Sequence, residues 1–465
     1  LYAARVPIFP RRVQGWFRRF KWALMLVTLG IYYVTPWIRW DRGPNLPDQA
    51  VLVDLAGRRF YFFWIEIWPH EFYFVAGLLI MAGIGLFLFT SAAGRVWCGY
   101  ACPQTVWTDL YILVERWIEG DRNARVRLYK QKYDARKLRL RLSKWGAWLL
   151  IGLATGGAWV FYFADAPTLL VDLVTLQAPL VAYSAIAILT ATTFVFGGFM
   201  REQVCTYMCP WPRIQAAMMD ENTLTIAYRE WRGEPRGKHQ KHSDAALGDC
   251  IDCNACVAVC PMGIDIRDGQ QLECITCGLC IDACDDVMAR IGKPRGLVDY
   301  ITLRDADREA RGEAPVAAWK RVVRPRTILY TALWSLIGVA LVVALFIRTE
   351  IGFNVSPVRN PIFVTLSDGA IRNVYDVRLL NQTGEDKVFR LSVSSDAPMR
   401  IELQGTPEVR VTVPANETFP QRVYLTAPAG SEAAVAGVYP VRLWVEDIGS
   451  GERTSYDTVF NGDDG

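Results

Sequence analysis

Eight cysteines between residues 250 and 284 constrain this chain more than any other feature. They fall as Cys250-x-x-Cys253-x-x-Cys256-x-x-x-Cys260-Pro261, then Cys274-x-x-Cys277-x-x-Cys280-x-x-x-Cys284. Thiolates at these intervals wrap successive corners of an iron-sulfur cube, and in two-cluster ferredoxins the fourth cysteine of each run ligates the other cube. The pattern therefore predicts one 4Fe-4S cluster on Cys250, Cys253, Cys256 and Cys284, and a second on Cys274, Cys277, Cys280 and Cys260. Asp285 stands where the first run has Pro261, a departure that touches a turn and no ligand. Zinc sites do not require this doubled spacing. The small residues Ala255, Ala258, Gly263, Gly278 and Ala283 are expected to let backbone amides approach the sulfides.

The rest of the chain is apolar enough to look for a membrane: 52% of its 465 residues are hydrophobic and its mean hydropathy is +0.15. Five segments, 22–38, 72–93, 145–164, 180–200 and 327–347, approach the roughly 20 residues needed to cross a bilayer core. The first is the shortest and ends at Pro36. Basic residues crowd the N-terminus (Arg11, Arg12, Arg18, Arg19, Lys21) and the loop containing Arg122, Arg125, Arg127 and Lys130, whereas 165–179 has no Lys or Arg. The positive-inside rule then makes the N-terminus and the cysteine-rich insert cytoplasmic, and puts the segment after the fifth span in the periplasm. The expected location is a bacterial inner membrane, with lipid as one partner. No cleavable leader is expected, because the N-terminal basic residues flank a full-length span. Cations so localised, with a net charge of only +4, argue against nucleic acid as a partner.

From Phe353 onward the period changes to two, in runs such as Val374–Leu380, Val388–Val393 and Val438–Val445, divided by turns such as Asn381–Gly384. About seven short strands in roughly 110 residues is the pattern of a β-sandwich. This stretch has no Cys or His, so no transition-metal site is expected there. The predicted organisation is a four-span membrane region (1–200), a cytoplasmic region (201–326) with a ferredoxin-like core (245–295), a fifth helix (327–347) and a periplasmic all-β domain (350–465).

The membrane region contains a repeat. Spans two and four end in Cys98-Gly-Tyr-Ala-Cys102-Pro103 and Cys205-Thr-Tyr-Met-Cys209-Pro210. Proline after the second cysteine suits the first turn of a helix, which would put Cys102 and Cys209 at helix N-termini, where the dipole favours thiolate. Brought together, Cys98, Cys102, Cys205 and Cys209 would form a candidate catalytic four-sulfur site at the cytoplasmic membrane edge, able to take copper, zinc or a further iron-sulfur cluster. The competing reading is that they terminate helices and do no chemistry. Met208 reads as packing. Of the three histidines, His239 and His242 read as a solvated basic linker and His70 as a helix start. Trp37, Trp40, Tyr61, Phe62, Phe63, Trp64 and Trp68 read as an interfacial belt. No phosphate-cradling glycine loop is present.

Three stretches, Trp97–Trp107, Met200–Gln215 and Gly248–Asp265, resemble the FixG/RdxA/CcoG family of cbb-type cytochrome c oxidase accessory proteins. The resemblance implies an immunoglobulin-like C-terminal domain and a cupric reductase, in which electrons pass through the two clusters and reduce Cu(II) to Cu(I) for the oxidase. It maps the ferredoxin ligands onto the eight cysteines from Cys250 to Cys284 and the membrane-edge motif onto Cys98, Cys102, Cys205 and Cys209. Implied partners are copper ions, oxidase assembly factors, copper chaperones or transporters, and an electron donor left unspecified. Two further readings stand beside it: a quinol dehydrogenase subunit wiring electrons to a periplasmic reductase, and a redox-sensing assembly scaffold.

Overall fold

A computed structural model describes residues 6–43, 46–237, 247–348 and 351–463. Its first helix, α1 (Trp16–Val34), leads to a small antiparallel sheet of β1 (Val51–Asp54), β2 (Arg59–Phe62) and β3 (Ile65–Ile67). There follow α2 (Tyr73–Ala93), α3 (Val96–Tyr100), α4 (Pro103–Ile118), α5 (Arg122–Lys130), α6 (Ala135–Thr155), α7 (Ala166–Val174) and α8 (Leu180–Phe194). A 3-10 stretch, Gly157–Tyr162, follows α6, and a π-helical stretch, Val195–Met200, extends α8.

Among the described residues, four helical segments are long and apolar enough to cross a membrane: Pro69–Ala93, Ala135–Tyr162, Leu180–Met200 and Pro325–Ile347. They coincide with four of the five expected spans. The remaining one, expected at 22–38, differs. Its helix starts earlier, at Trp16, ends at Val34, and passes into a 3-10 turn, Thr35–Trp37, around Pro36. Its apolar part from Trp22 rises only about 20 Å at 1.5 Å per residue. The turn before it carries Arg18 and Lys21, which are 7% and 3% exposed and sit 3.2 and 2.8 Å from the Asp109 carboxylate of α4. At the other end the Tyr32 hydroxyl donates to the Thr155 carbonyl and Tyr162 donates back to the Tyr32 carbonyl, so α1 runs beside the apolar half of α6. Ion pairing hides charges that a hydropathy count penalises.

A second buried polar seam joins the helices of the basic loop. Glu115 of α4 holds Arg125 of α5, Lys144 of α6 and Arg201 beyond α8, while Glu119 takes Lys144 at 2.7 Å. Much of the basic loop is therefore structural rather than a solvated face.

The insert consists of α9 (Trp211–Met218), β4 (Thr225–Tyr228), α10 (Glu230–Gly233), α11 (Ala255–Val259), α12 (Leu279–Arg290), β5 (Val298–Ile301), α13 (Leu303–Ala310) and α14 (Ala318–Val322), and it leads into α15 (Pro325–Ile347). Strands β4 and β5 pair antiparallel, Thr225 opposite Ile301, and close its two ends together. The N-terminal segment returns to cap it. The Arg11 amide donates to the Ala258 carbonyl at 2.7 Å, and the Phe17 and Arg18 amides donate to the Asp282 carboxylate. A methyl on Gly263 or Gly278 would lie 2.7 Å from Ile8 or 2.6 Å from the Phe17 ring. These glycines make room for the N-terminal segment, where the sequence suggested room for sulfide. The regions drawn as 1–200 and 201–326 form one compact unit, Leu1–Arg39 with Gln49–Leu341. The histidines His239 and His242 lie outside the described residues, and His70 sits in a 3-10 turn, Pro69–Glu71, before α2.

The second unit, Trp40–Asp48 with Val342–Gly465, contains the β domain. Its strands are β6 (Ile351–Pro357), β7 (Val364–Thr365), β8 (Ile371–Asn381), β9 (Lys387–Ser394), β10 (Arg400–Leu403), β11 (Arg410–Val413), β12 (Thr418–Ala427), β13 (Tyr439–Asp447) and β14 (Arg453–Phe460), more than the seven expected. One sheet runs β10-β12-β8-β6 with β7 on β8; the other runs β11-β9-β13-β14. Alternation puts Tyr375, Leu379, Phe389, Leu425, Leu443 and Val445 in a shared core, each fully buried, as in a two-sheet sandwich.

Candidate metal centres

The two cysteine runs fold alike. Asp252 and Asn254 flank Cys253 with φ of 53° and 56°, and Thr276 and Gly278 flank Cys277 with φ of 48° and 74°. Left-handed residues at matching positions curl each loop so that successive amides face one point, a concavity suited to an anionic cluster. The Met262 and Ile264 amides donate to the Cys260 sulfur, and the Thr276 and Leu279 amides to those of Cys274 and Cys277.

The fourth cysteine of each run lies near cysteines of the other run. Cys260 lines one cavity with Cys274, Cys277 and Cys280, and Cys256 reaches the same cavity. Cys284 lies in the field of Cys256 and Cys253, and packs with Cys250 and Cys256 in one buried cluster. All twelve cysteines are free. Burial, reinforced by neighbouring sulfurs, pushes the Cys274 thiol up to about 11 and those of Cys260 and Cys284 up to about 12. Desolvated thiols crowded in this way gain when a cationic iron group takes them as thiolates, so the donor set fits a 4Fe-4S group at each place.

The repeated motifs also meet. Cys98 lies in α3, Cys102 is the N-cap of α4 ahead of Pro103, Cys205 lies in a π-helical turn, Val204–Met208, and Cys209 directly follows that turn. The expectation that Cys209 would start a helix shifts by one residue, because Pro210 is the N-cap of α9. Four residues before the first cysteine of each motif the backbone turns left-handed, at Gly94 (φ 63°) and at Arg201 (φ 44°). The Arg201 side chain, anchored on Glu115 and on the Gly198 carbonyl, accompanies the strained geometry that a glycine adopts freely in the first copy.

Burial, and then Cys102, Cys98 and Cys209, push the Cys205 thiol up to about 12; Cys98 is raised to about 11 by burial, with Cys102 and Cys209 adding to it. The four sulfurs thus share one neighbourhood. The Cys98 thiol donates to Gln215 Oε1 at 3.2 Å, and Gln104 Nε2 donates to the Phe196 and Arg201 carbonyls, lacing the first repeat to the second. Among the described residues no three His, Cys, Asp or Glu side chains converge as tightly as one metal ion requires, and this holds for the ferredoxin cysteines as well.

The first motif of the quartet sits directly on a cluster loop. The Tyr100 hydroxyl donates to the Cys277 carbonyl, Arg95 Nη1 donates to the carbonyls of Leu272 and Cys274, and a methyl on Gly99 would lie 2.5 Å from the Ile275 carbonyl oxygen. Cys98 packs against the buried cluster that contains Ile275 and Cys277. The sequence reading passed over Tyr100, Arg95, Gln104 and Gln215. Tyr100 was nevertheless visible as the central residue of the first motif.

Comparison with known proteins agrees with this architecture. Residues 200–303 match a family described as a 4Fe-4S dicluster domain, residues 74–121 a 4Fe-4S binding domain, and residues 341–463 an "IG-like fold at C-terminal of FixG, putative oxidoreductase". The chain is 68% identical to protein RdxB and 64% identical to protein RdxA, both of Cereibacter sphaeroides, over 99% and 97% of its length and 97% and 96% of theirs. It is 55% identical to the nitrogen fixation protein FixG of Rhizobium meliloti, over 99% of this chain and 94% of that one.

Proposed function

Given that the chain belongs to the FixG/RdxA family of cbb-type oxidase accessory proteins, we propose that this membrane iron-sulfur protein reduces Cu(II) to Cu(I) at Cys98, Cys102, Cys205 and Cys209. The observation that carries the reading is the seating of the first thiol motif on the loop of Cys277 through Tyr100 and Gly99. The eight ferredoxin cysteines would hold two 4Fe-4S groups, four thiolates to each, and such groups supply one-electron transfer. Each Cu(II) takes up one electron, and soft thiolates stabilise the Cu(I) product over the harder Cu(II), which favours the reduction. The two motifs would draw together as they close on the ion. With the N-terminus and insert cytoplasmic, as the basic residues suggest, copper is reduced at the inner membrane edge and no electron has to cross the bilayer. The β domain then faces the periplasm, where an assembly factor or copper carrier would dock.

The test is Cu(II) reduction by anaerobically purified protein, read with a Cu(I) chelator, with and without serine at the four positions. Loss of copper binding and reduction with ferredoxin iron retained supports the reading. Unchanged copper chemistry overturns it.

One feature favours the quinol reading of the donor side. A cavity of about 340 Å³ among α1, α4, α6 and α8, with Tyr32, Trp107, Thr155 and Trp159 in its wall, reaches Ala101 and Pro103 on either side of Cys102. A lipid-soluble two-electron donor seated there would lie next to the quartet. Oxidation of added quinol by the purified protein tests it.

A further inference from the structure

Between the start of α1 and the face of α4 lies a cleft of about 880 Å³. Its wall carries the guanidinium groups of Arg12, Arg18, Arg19 and Arg116 against the single carboxylate of Asp121, four positive charges to one negative. Internal partners do not exhaust these cations. Arg18 uses Nη1 on Asp109, but its Nη2 is buried without a hydrogen-bond partner, although the residue is only 7% exposed. Arg116 donates Nη2 to the Pro10 and Arg11 carbonyls, while its Nε is buried and 3.9 Å from Asp121, beyond hydrogen-bond reach. Arg19 Nε donates to the Gly15 carbonyl, and Asp121 is also engaged by the Arg12 amide. Burial, and then the Arg18 charge, push the Arg116 guanidinium down to about 10 against the opposing pull of Asp121 and Asp109.

The same cleft is apolar on one side. Trp22 lies under the Arg18 guanidinium, 4.5 Å to its ring centroid, and Trp117 is 75% exposed. Trp22 is also where the apolar stretch of α1 begins. A solvated inorganic anion has no use for indole walls; a molecule with a charged head and an oily body does.

We propose that this cleft binds an anionic phospholipid, its phosphate on Arg12, Arg18, Arg19 and Arg116 and its acyl chains descending past Trp22 and Trp117. Basic pockets beside membrane helices recognise such headgroups. The bound lipid would clamp the segment that caps the ferredoxin loops, and so tie the insert to the bilayer surface.

The test uses the full-length, iron-loaded protein in detergent. Retained lipid is identified by mass spectrometry, and thermal stability is followed with added phosphatidylglycerol, phosphatidylcholine or inorganic phosphate. Phosphatidylglycerol should be retained and should raise the transition; the other two should not. The exposed Arg12→Gln and Arg19→Gln changes lie outside the Asp109 pair, and each should lower retention about five-fold with iron content unchanged. Equal retention of phosphatidylcholine, unchanged retention in both variants, or full stabilisation by inorganic phosphate would each overturn the proposal.

Discussion

The Tyr100 hydroxyl, midway between two cysteines of the membrane-edge motif, donates a 3.0 Å hydrogen bond to the carbonyl of Cys277. Its counterpart in the second repeat, Tyr207, is 56% exposed, whereas Tyr100 is 6% exposed. Tyr300 reinforces the contact, its ring hydroxyl 3.5 Å from that of Tyr100. Tyr100→Phe keeps the ring and removes a bond worth about 0.5–1.5 kcal/mol. Iron content should hold while Cu(II) reduction slows several-fold, as measured by metal analysis and the chelator assay on one preparation.

Gly99→Ala tests the same junction through sterics. The added methyl would meet the Ile275 carbonyl oxygen at 2.5 Å, and backbone on both sides has to yield. Overpacking of this kind costs about 1–3 kcal/mol. The expected result is a lower thermal transition and slower reduction, with native iron stoichiometry at low temperature.

Crossed ligation gives a spectroscopic prediction. Cys260→Ser should disable the centre whose other cysteines are Cys274, Cys277 and Cys280, leaving about half the iron and one cluster signal by EPR. Cys98→Ser should leave the iron of both ferredoxin centres in place. A Cys260→Ser protein with both signals intact would contradict the crossed arrangement.

Acid sensitivity should follow from Asp109 and Glu115. Burial by itself raises both carboxyls, but Lys21 and Arg18 at Asp109, and Arg201 and Arg125 at Glu115, more than offset it and hold both below the ordinary range. Depressed acids contribute stability above the unfolded value near 4 that is lost as pH falls through their folded values. Thermal stability should therefore be flat from neutral pH to about 5 and fall below that. Glu115→Gln strands Arg125 and Arg201 and should cost about 3–5 kcal/mol at neutral pH, read as a lowered denaturation midpoint.

Local rules carried the sequence reading far. Cysteine spacing is a property of a few consecutive turns, so both cluster loops were legible, as were the four spans whose apolar runs no charge interrupts. The start of α1 was not, because Arg18 and Lys21 look solvated until Asp109, distant in sequence, is brought against them. The β domain has nine strands among the described residues where about seven were expected, since a strand such as β7, of two residues, is too short to declare a period. Sheet β1–β3 hid inside an aromatic stretch whose rings also suit a membrane interface. Of the candidate site, the thiols were evident, but their contact with the Cys277 loop depends on tertiary packing that no spacing encodes.

The positions of Ile8 and Phe17 over Gly263 and Gly278 have a consequence for biogenesis. The segment of Ile8 and Phe17 leaves the ribosome well before the loops it covers, and finds its seat only after those loops, some 250 residues downstream, have been made. Until then those loops stand uncovered, which gives the iron-loading machinery an open interval. Delivery of clusters would precede closure, and a chain that closed early would bury the empty thiols of Cys250, Cys256, Cys277 and Cys284.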